Sequence, residues 1–248
     1  MLREHLSHRH TGVPAGFRPR GTDATRIEGF SDAVFAFALT LLVVSLEVPH
    51  TFDELMRAMQ GFVSFGISFA LLMQIWFKHY GFFRRYGLQD PPTRLLNAVL
   101  LFIVLFYVYP IKYLWSHVGG TASSTFSAGE VRVLLEIYGL GGAAVFLIFV
   151  LLYRHAWQLR DELALNDIER YDTRQAIFDN VLMAAVPAVS VILAATLPPT
   201  RVGWAGVFYF VYGPLMTWNG IREGRGRRRY EEAAGKPRVR AHHAGKQE

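Results

Sequence analysis

No cysteine occurs anywhere in the 248 residues, so neither a disulfide framework nor a thiolate metal site is open to the chain. Charge is scarce as well. Asp, Glu, Lys and Arg make up 19% of the residues against 52% for hydrophobic ones, and mean hydropathy is positive at +0.21. No charged residue lies between Asp32 and Glu47. There is no HExxH, no phosphate-binding glycine loop and no GxSxG, and no nucleophile has a base near it in sequence. The chain therefore does not read as an enzyme. Residues 1–25 lack the apolar run of about 7–15 residues that a secretory signal needs. With Gly12, Pro14, Gly16, Pro19 and Gly21 they read as a disordered cytoplasmic tail. His5, His8 and His10 fall in it, but a flexible tail supplies no metal geometry.

What the chain does have is long apolar segments. The central one is RIEGFSDAVFAFALTLLVVSLEVP, Arg26 to Pro49. A helix from Phe30 to Val48 would rise about 28 Å, close to the ~30 Å hydrocarbon core of a bilayer. Five more segments follow: roughly Leu55 to Phe77, Leu95 to Trp115, Val131 to Tyr153, Ala176 to Leu197 and Val202 to Ile221. Residues 78–94 read as a loop, and residues 116–129 as a Gly/Ser/Thr linker. Gly139 and Ala143 suit close helix packing, and Pro187 is expected to kink the fifth segment. The fold expected is an all-α membrane protein with six transmembrane helices per subunit. Its units are a tail (1–25), a six-helix domain (26–222) and a basic cytoplasmic tail (223–248).

Of the 26 lysines and arginines, 22 fall in the N-terminal segment through Arg26, residues 78–94, residues 154–174 and the chain from Arg222 onward. The positive-inside rule then puts both termini in the cytoplasm and the chain in the cell membrane as a multi-pass protein. The basic C-terminal run reads as a retention signal that touches anionic lipid, not as a nucleic-acid site. The lipid bilayer is thus one expected partner.

At about 100° per residue, one stripe of the first span holds Phe30, Phe37, Thr40, Leu41 and Val44. Asp32 lies about 140° from Phe37 and faces other helices or the rim. An ionisable residue in a span is a functional candidate; alternatively Asp32 accepts a hydrogen bond from a neighbour such as His79 and locks the helix. Ser31 is expected to bond locally or across helices, and Arg26 to pin the cytoplasmic end. Trp76 and His79 form an interfacial pair or a pH sensor. Asn97 needs a polar partner in the third span, and the Ser31/Asp32 cluster offers one.

The sequence Arg26-x-x-x-Phe30-Ser31-Asp32, followed by an apolar helix with Thr40, resembles the transmembrane-protein-175 potassium channels. Trp76-x-x-His79 and Asn97, with Pro110 closing the third segment, extend the likeness over roughly the first 115 residues. The resemblance implies a potassium-permeable cation channel with no cofactor beyond the permeant ion. It implies an interhelical network of Arg26, Phe30, Ser31, Asp32, Trp76, His79 and Asn97 holding the first helix at a central pore. It also implies that Phe37, Thr40, Leu41 and Val44 line that pore, with Phe37 at its narrowest ring. Phe37 departs from the family's branched aliphatic residue, and a ring of Phe would close the path or gate it by dewetting. No TVGYG-like loop is present, so a carbonyl-cage filter is excluded. One motif copy cannot enclose a pore, and single-copy members assemble as homotetramers. Two other readings stay open, a secondary transporter and a non-conducting membrane scaffold.

Overall fold

The computed structural model describes residues 16–21, 23–44, 51–118 and 127–233, with backbone alone at 43–44, 54–55, 57–58, 60–64, 108–118, 231 and 233. Five long helices lead: α1 (Arg26–Val44), α2 (Phe52–Tyr86), α3 (Pro91–Val118), α4 (Ala128–Gln158) and α5 (Asp167–Thr196). A 3-10 turn (Pro199–Arg201), a short helix α6 (Gly203–Val207), a second 3-10 turn (Phe208–Val211) and α7 (Tyr212–Ala233) complete the order. No strand occurs among the described residues.

Three starts are written into the sequence as reciprocal caps. The Glu28 amide donates to Thr25 Oγ1 at 3.2 Å while the Thr25 amide donates to Glu28 Oε2 at 2.8 Å. Ser127 with Glu130, and Asn166 with Glu169, repeat the arrangement at α4 and α5.

α4 and α5 pack along each other and form the most extensive helix pair; α3 lies on α4, while α1, α2 and α3 pack mutually and α7 lies on α5. The α4–α5 approach depends on Gly139. A Cβ there would sit 2.9 Å from the Pro187 carbonyl oxygen and would collide with Val191 Cγ2. The main core joins Phe35 and Ala38 of α1, Phe82 and Tyr86 of α2, Leu100 and Val104 of α3, and Phe149 and Leu152 of α4.

By length and composition, Ala128–Gln158 and Asp167–Thr196 can each cross a membrane, and a shorter apolar stretch covers Pro91–Tyr107. α1 carries Arg26, Glu28 and Asp32 in its first two turns, so its uncharged part is short.

The helices overrun the expected boundaries. Residues 78–86, read from sequence as loop, are the last turns of α2. Phe82, Phe83 and Tyr86 are all buried there, and their packing holds the helix past the expected span end. It stops at Gly87, whose φ of +60° suits glycine and whose amide donates to the Phe83 carbonyl at 2.8 Å. Pro110 does not end the third helix, which continues to Val118. The last apolar segment is tightened into a 3-10 turn at Phe208–Val211. Its junction residues Val202, Phe208 and Tyr212 all keep right-handed helical angles.

Both tails also differ from expectation. Residues 1–15 and 234–248 lie outside the described residues. Phe17, however, is buried against Tyr86 with ring centroids 5.7 Å apart. Arg18 and Arg20 converge on the buried Glu169 carboxylate, with Arg20 Nη2 2.9 Å from Oε2. At the other end Arg227 pairs with buried Asp172 at 3.3 Å, and Tyr230 lies against Tyr171. In each case the basic segment meets a carboxylate on the first turns of α5, which project from the apolar part of that helix.

Burial pushes the Glu169 carboxyl upward. The Arg20 guanidinium, the Arg18 amide and the Asn166 amide outweigh it and hold the group down at about 2, from an ordinary 4.5. A depressed carboxylate stabilises the fold fully above its unfolded value and loses that contribution as pH falls toward the folded one. Acidification from pH 5 to 3 should therefore lower the melting temperature of the detergent-solubilised protein, and Glu169→Gln should flatten that dependence while lowering the melting point at pH 7. An unchanged acid slope in the variant would show that other carboxylates carry the effect.

Candidate functional site

The functional candidates gather where α1 meets α2 and α3. On α1, Ser31, Phe35, Ala38 and Leu42 recur every three or four residues and are buried, so they form the face turned to the rest of the chain. α2 answers with Trp76, His79 and Phe83, and α3 with Thr93, Asn97, Leu100 and Val104, at the same helical spacing.

A directional chain of hydrogen bonds runs through this contact. Ser31 Oγ donates to the Ile27 carbonyl at 2.8 Å, so it accepts from Asn97 Nδ2 at 2.9 Å. That leaves Asn97 Oδ1 facing His79 Nε2 at 2.8 Å, and an amide oxygen accepts, so the histidine nitrogen must carry the proton. Ser31, His79 and Asn97 are all at most 3% exposed. Buried polar groups need partners, and here each of the three supplies one for the next. The His79 ring is clasped by Phe35 and Phe83, at centroid distances of 5.6 and 4.6 Å.

Asp32 is not bonded to His79. Its Oδ1 accepts from Trp76 Nε1 at 2.8 Å, at an exposed position. The reason is rotational: Asp32 is one position past Ser31, about 100° round the helix. Ser31 therefore points at α3 while Asp32 reaches the flank of α2, where Trp76 is stacked on Tyr80 at 5.7 Å. Trp76 and His79 thus tie to α1 separately, one through Asp32 and one through Asn97 and Ser31. Arg26 and Phe30 are exposed and stand outside this network among the described residues, Phe30 at 66% exposure.

The opposite face of α1 is uncovered among the described residues. Gly29, Phe30, Ala33, Ala36, Phe37 and Thr40 are all exposed. Phe37 is 57% exposed while the adjacent Ala38 is 0%. The Thr40 hydroxyl donates to the Phe37 carbonyl at 2.7 Å, so its proton is engaged and its remaining lone pairs are left for another donor or a cation.

Leu41 does not belong to this face. It is half-buried and packs against the main core. Taking about 100° per residue, the exposed arc centres near Ala33 and Thr40, about 50° from Phe37, and Leu41 falls on the buried shoulder beyond it. The side chain of Val44 lies outside the described residues.

Two features on α2 and α3 carry no expectation from sequence. Asp90 accepts from Thr93 Oγ1 at 2.6 Å and lies 2.6 Å from His155 Nε2, which binds the start of α3 to the end of α4. Burial raises the Asp90 carboxyl, but these two bonds win and hold it below its usual range. A cleft between α2 and α5 holds Lys78, Arg85 and Asp179. Arginine and lysine at i and i+7 after an apolar stripe would have signalled it. Among the described residues no cluster of three or more His, Cys, Asp or Glu is placed to hold a metal.

The chain is similar to known proteins in sequence and in fold. The family described as endosomal/lysosomal potassium channel TMEM175 matches residues 26–107, the span that contains the network and the exposed face. A potassium channel of Marivirga tractuosa is 41% identical over 226 residues, covering 83% of this chain and 90% of its own length. A second potassium channel, from Chamaesiphon minutus, is 28% identical over 162 residues, 62% of this chain and 75% of that one. Among solved structures, the potassium channel MtTMEM175, crystallised as a threonine-to-alanine variant with a nanobody fusion, superposes with a TM-score of 0.75. The match has 39% identity and covers 85% of this chain and 98% of that one. A lysosomal potassium-selective channel TMEM175 homolog from Chamaesiphon minutus gives a TM-score of 0.53 at 25% identity, covering 80% and 96%.

Proposed function

Because the chain belongs to the TMEM175 family of potassium channels, we propose that it conducts potassium through a pore lined by the uncovered face of α1. The observation that carries this is the division of α1 into a locked face and an open one. Ser31 and Asp32 fasten one side to α3 and α2, while Phe37 and Thr40 are presented outward and are exposed among the described residues.

A single helix cannot enclose a path, so several copies must bring their α1 faces together. A fourfold ring fits the single motif copy, with both termini cytoplasmic, six spans per subunit and residence in the cell membrane. Gly29, Ala33 and Ala36 interleave with Phe30, Phe37 and Thr40 on that face. Small residues let helices approach closely in a membrane, and the large ones then project into the axis. Phe37 supplies an apolar neck. Thr40, one turn further, supplies oxygens whose own proton is already given to the helix, so that they face an ion as acceptors. Hydroxyl and carbonyl oxygens suit a large monovalent cation, and an apolar neck gates by expelling water.

Purified protein in liposomes should pass potassium down a gradient faster than sodium, at a rate that rises with protein density. Potassium flux no greater than that of protein-free liposomes, from material that runs as an oligomer, would sink the channel reading.

A further inference from the structure

Away from α1 the chain has a cleft of about 560 Å³ between the second half of α2 and the first half of α5. Along α2 its wall is graded. Phe69, Met73 and Phe77 line one end, and Lys78 and Arg85 the other, with Asn180 of α5 opposite. These α2 positions recur at helical spacing, so they form one stripe, about 24 Å from Phe69 to Arg85. Phe69 is partly and Phe77 largely exposed, so the apolar end opens outward.

The cations at the other end are under-used. Arg85 Nε is buried and has no hydrogen-bond partner among the described residues; the guanidinium lies 5.8 Å from the Phe17 ring. Lys78 Nζ has three donors to place. It makes one long bond, 3.3 Å to Asn180 Oδ1, and lies 5.9 Å from the Phe146 ring. Asp179 also lines the cleft, but its carboxylate accepts from Asn219 on α7. Two cations and one engaged carboxylate thus line the cleft; Glu223 attracts both cations and Asp172 attracts Arg85 from outside the lining, but these two acids are shared with Arg222 and Arg227.

We propose that this cleft binds an anionic phospholipid, with the phosphate between Lys78 and Arg85 and an acyl chain along Phe69, Met73 and Phe77. This rests on the membrane orientation given above, in which Lys78 and Arg85 stand at the cytoplasmic end of α2, where anionic headgroups lie. Several features select a lipid over a soluble anion. The apolar end is continuous with the cationic one, it opens to the side of the bundle, and its length suits a chain more than a small ion.

Native mass spectrometry of the detergent-solubilised assembly tests it without any flux measurement, so its failure is distinct from failure of the channel reading. With dioleoylphosphatidylglycerol and dioleoylphosphatidylcholine offered together, the assembly should retain phosphatidylglycerol preferentially, one per subunit. Lys78→Gln and Arg85→Gln should each weaken that retention about tenfold or more, the worth of one charge-assisted hydrogen bond.

Gly81→Leu gives a variant that avoids touching the charges. Gly81 lines the cleft, and a Cβ on it meets nothing within 4 Å, so the variant should assemble normally and exclude the lipid. Equal retention of both lipids, or retention unaffected in Gly81→Leu, would overturn the proposal. So would displacement of the lipid by millimolar inorganic phosphate, which would mark a soluble-anion site. Because the chain has no cysteine of its own, Phe77→Cys reports the remaining occupant: disulfide-linked subunits would show a second copy covering the cleft, and would also overturn it.

Discussion

Asn97→Leu should destabilise the folded protein by about 2–5 kcal/mol, because it strips two buried groups of their partner at once. Asn97 is the middle link between His79 on α2 and Ser31 on α1, bonded at 2.8 and 2.9 Å and only 3% exposed. Leucine fills similar space but leaves the His79 nitrogen and the Ser31 oxygen facing apolar atoms. Each such orphan costs roughly 1–3 kcal/mol. Melting followed by size-exclusion elution of the detergent-solubilised protein reads both the midpoint and the oligomer fraction, and both should fall. Leu95→Ala, two residues away and 66% exposed, is the control and should melt close to the parent. The double variant His79→Leu/Asn97→Leu separates a network from simple loss of volume. Removing both partners of a buried bond costs less than the two single changes added together. Strict additivity, or a parental melting point for Asn97→Leu alone, would mean that the network does not hold α1 in place.

That this network could be approached from sequence has a simple cause. An apolar helix offers few polar residues, so Ser31, Asp32, His79 and Asn97 stand out, and each must find a partner when buried. Sequence alone did not fix which pairs with which. Asp32 and Ser31 are neighbours in the chain yet point about 100° apart, and only the packing of α1 against both α2 and α3 assigns Ser31 to Asn97 and Asp32 to Trp76. The same rotation removes Leu41 from the exposed face. A stripe centred on Phe37 includes it, whereas the tertiary contact turns the helix about 50° and tucks it against the core.

The helix boundaries show a different kind of shortfall. The apolar runs marked what a bilayer can hold, but the helices continue beyond it wherever something caps or packs them. Thr25-x-x-Glu28, Ser127-x-x-Glu130 and Asn166-x-x-Glu169 were readable as capping boxes, and Gly87 as a stop. Weighing apolar length alone passes over these signs. The folded part of the N-terminal segment was hidden for another reason. Phe17 and the Arg18/Arg20 pair become meaningful only beside Tyr86 and Glu169, which are far away in sequence. A glycine- and proline-rich tail gives no local hint of such a dock.

Phe37→Ala should raise potassium flux about tenfold or more and reduce the preference for potassium over sodium. On the proposed pore, each subunit contributes one Phe37 ring to the neck, at a position 57% exposed in the single chain. Truncating a phenyl group removes on the order of 100 Å² of apolar surface per subunit. At about 25 cal/mol per Å², a ring of four then loses up to about 10 kcal/mol of the tendency to expel water from the constriction. A drop of only about 1.4 kcal/mol in the barrier is a tenfold change in rate, so even partial wetting of the neck should be visible. Thr40→Val should act differently. It keeps the shape of the side chain but deletes the oxygen that is bonded to the Phe37 carbonyl and open on its other side, so selectivity should fall with little gain in flux. Leu39 is half-buried against the core. Leu39→Ala should therefore lower thermal stability and leave the ion preference alone. Proteoliposomes with opposed potassium and sodium gradients compare the three side by side. Should Phe37→Ala leave flux unchanged while Leu39→Ala raises it, the water path runs along the other side of α1. The exposed face would then be a contact between subunits instead of the wall of the pore.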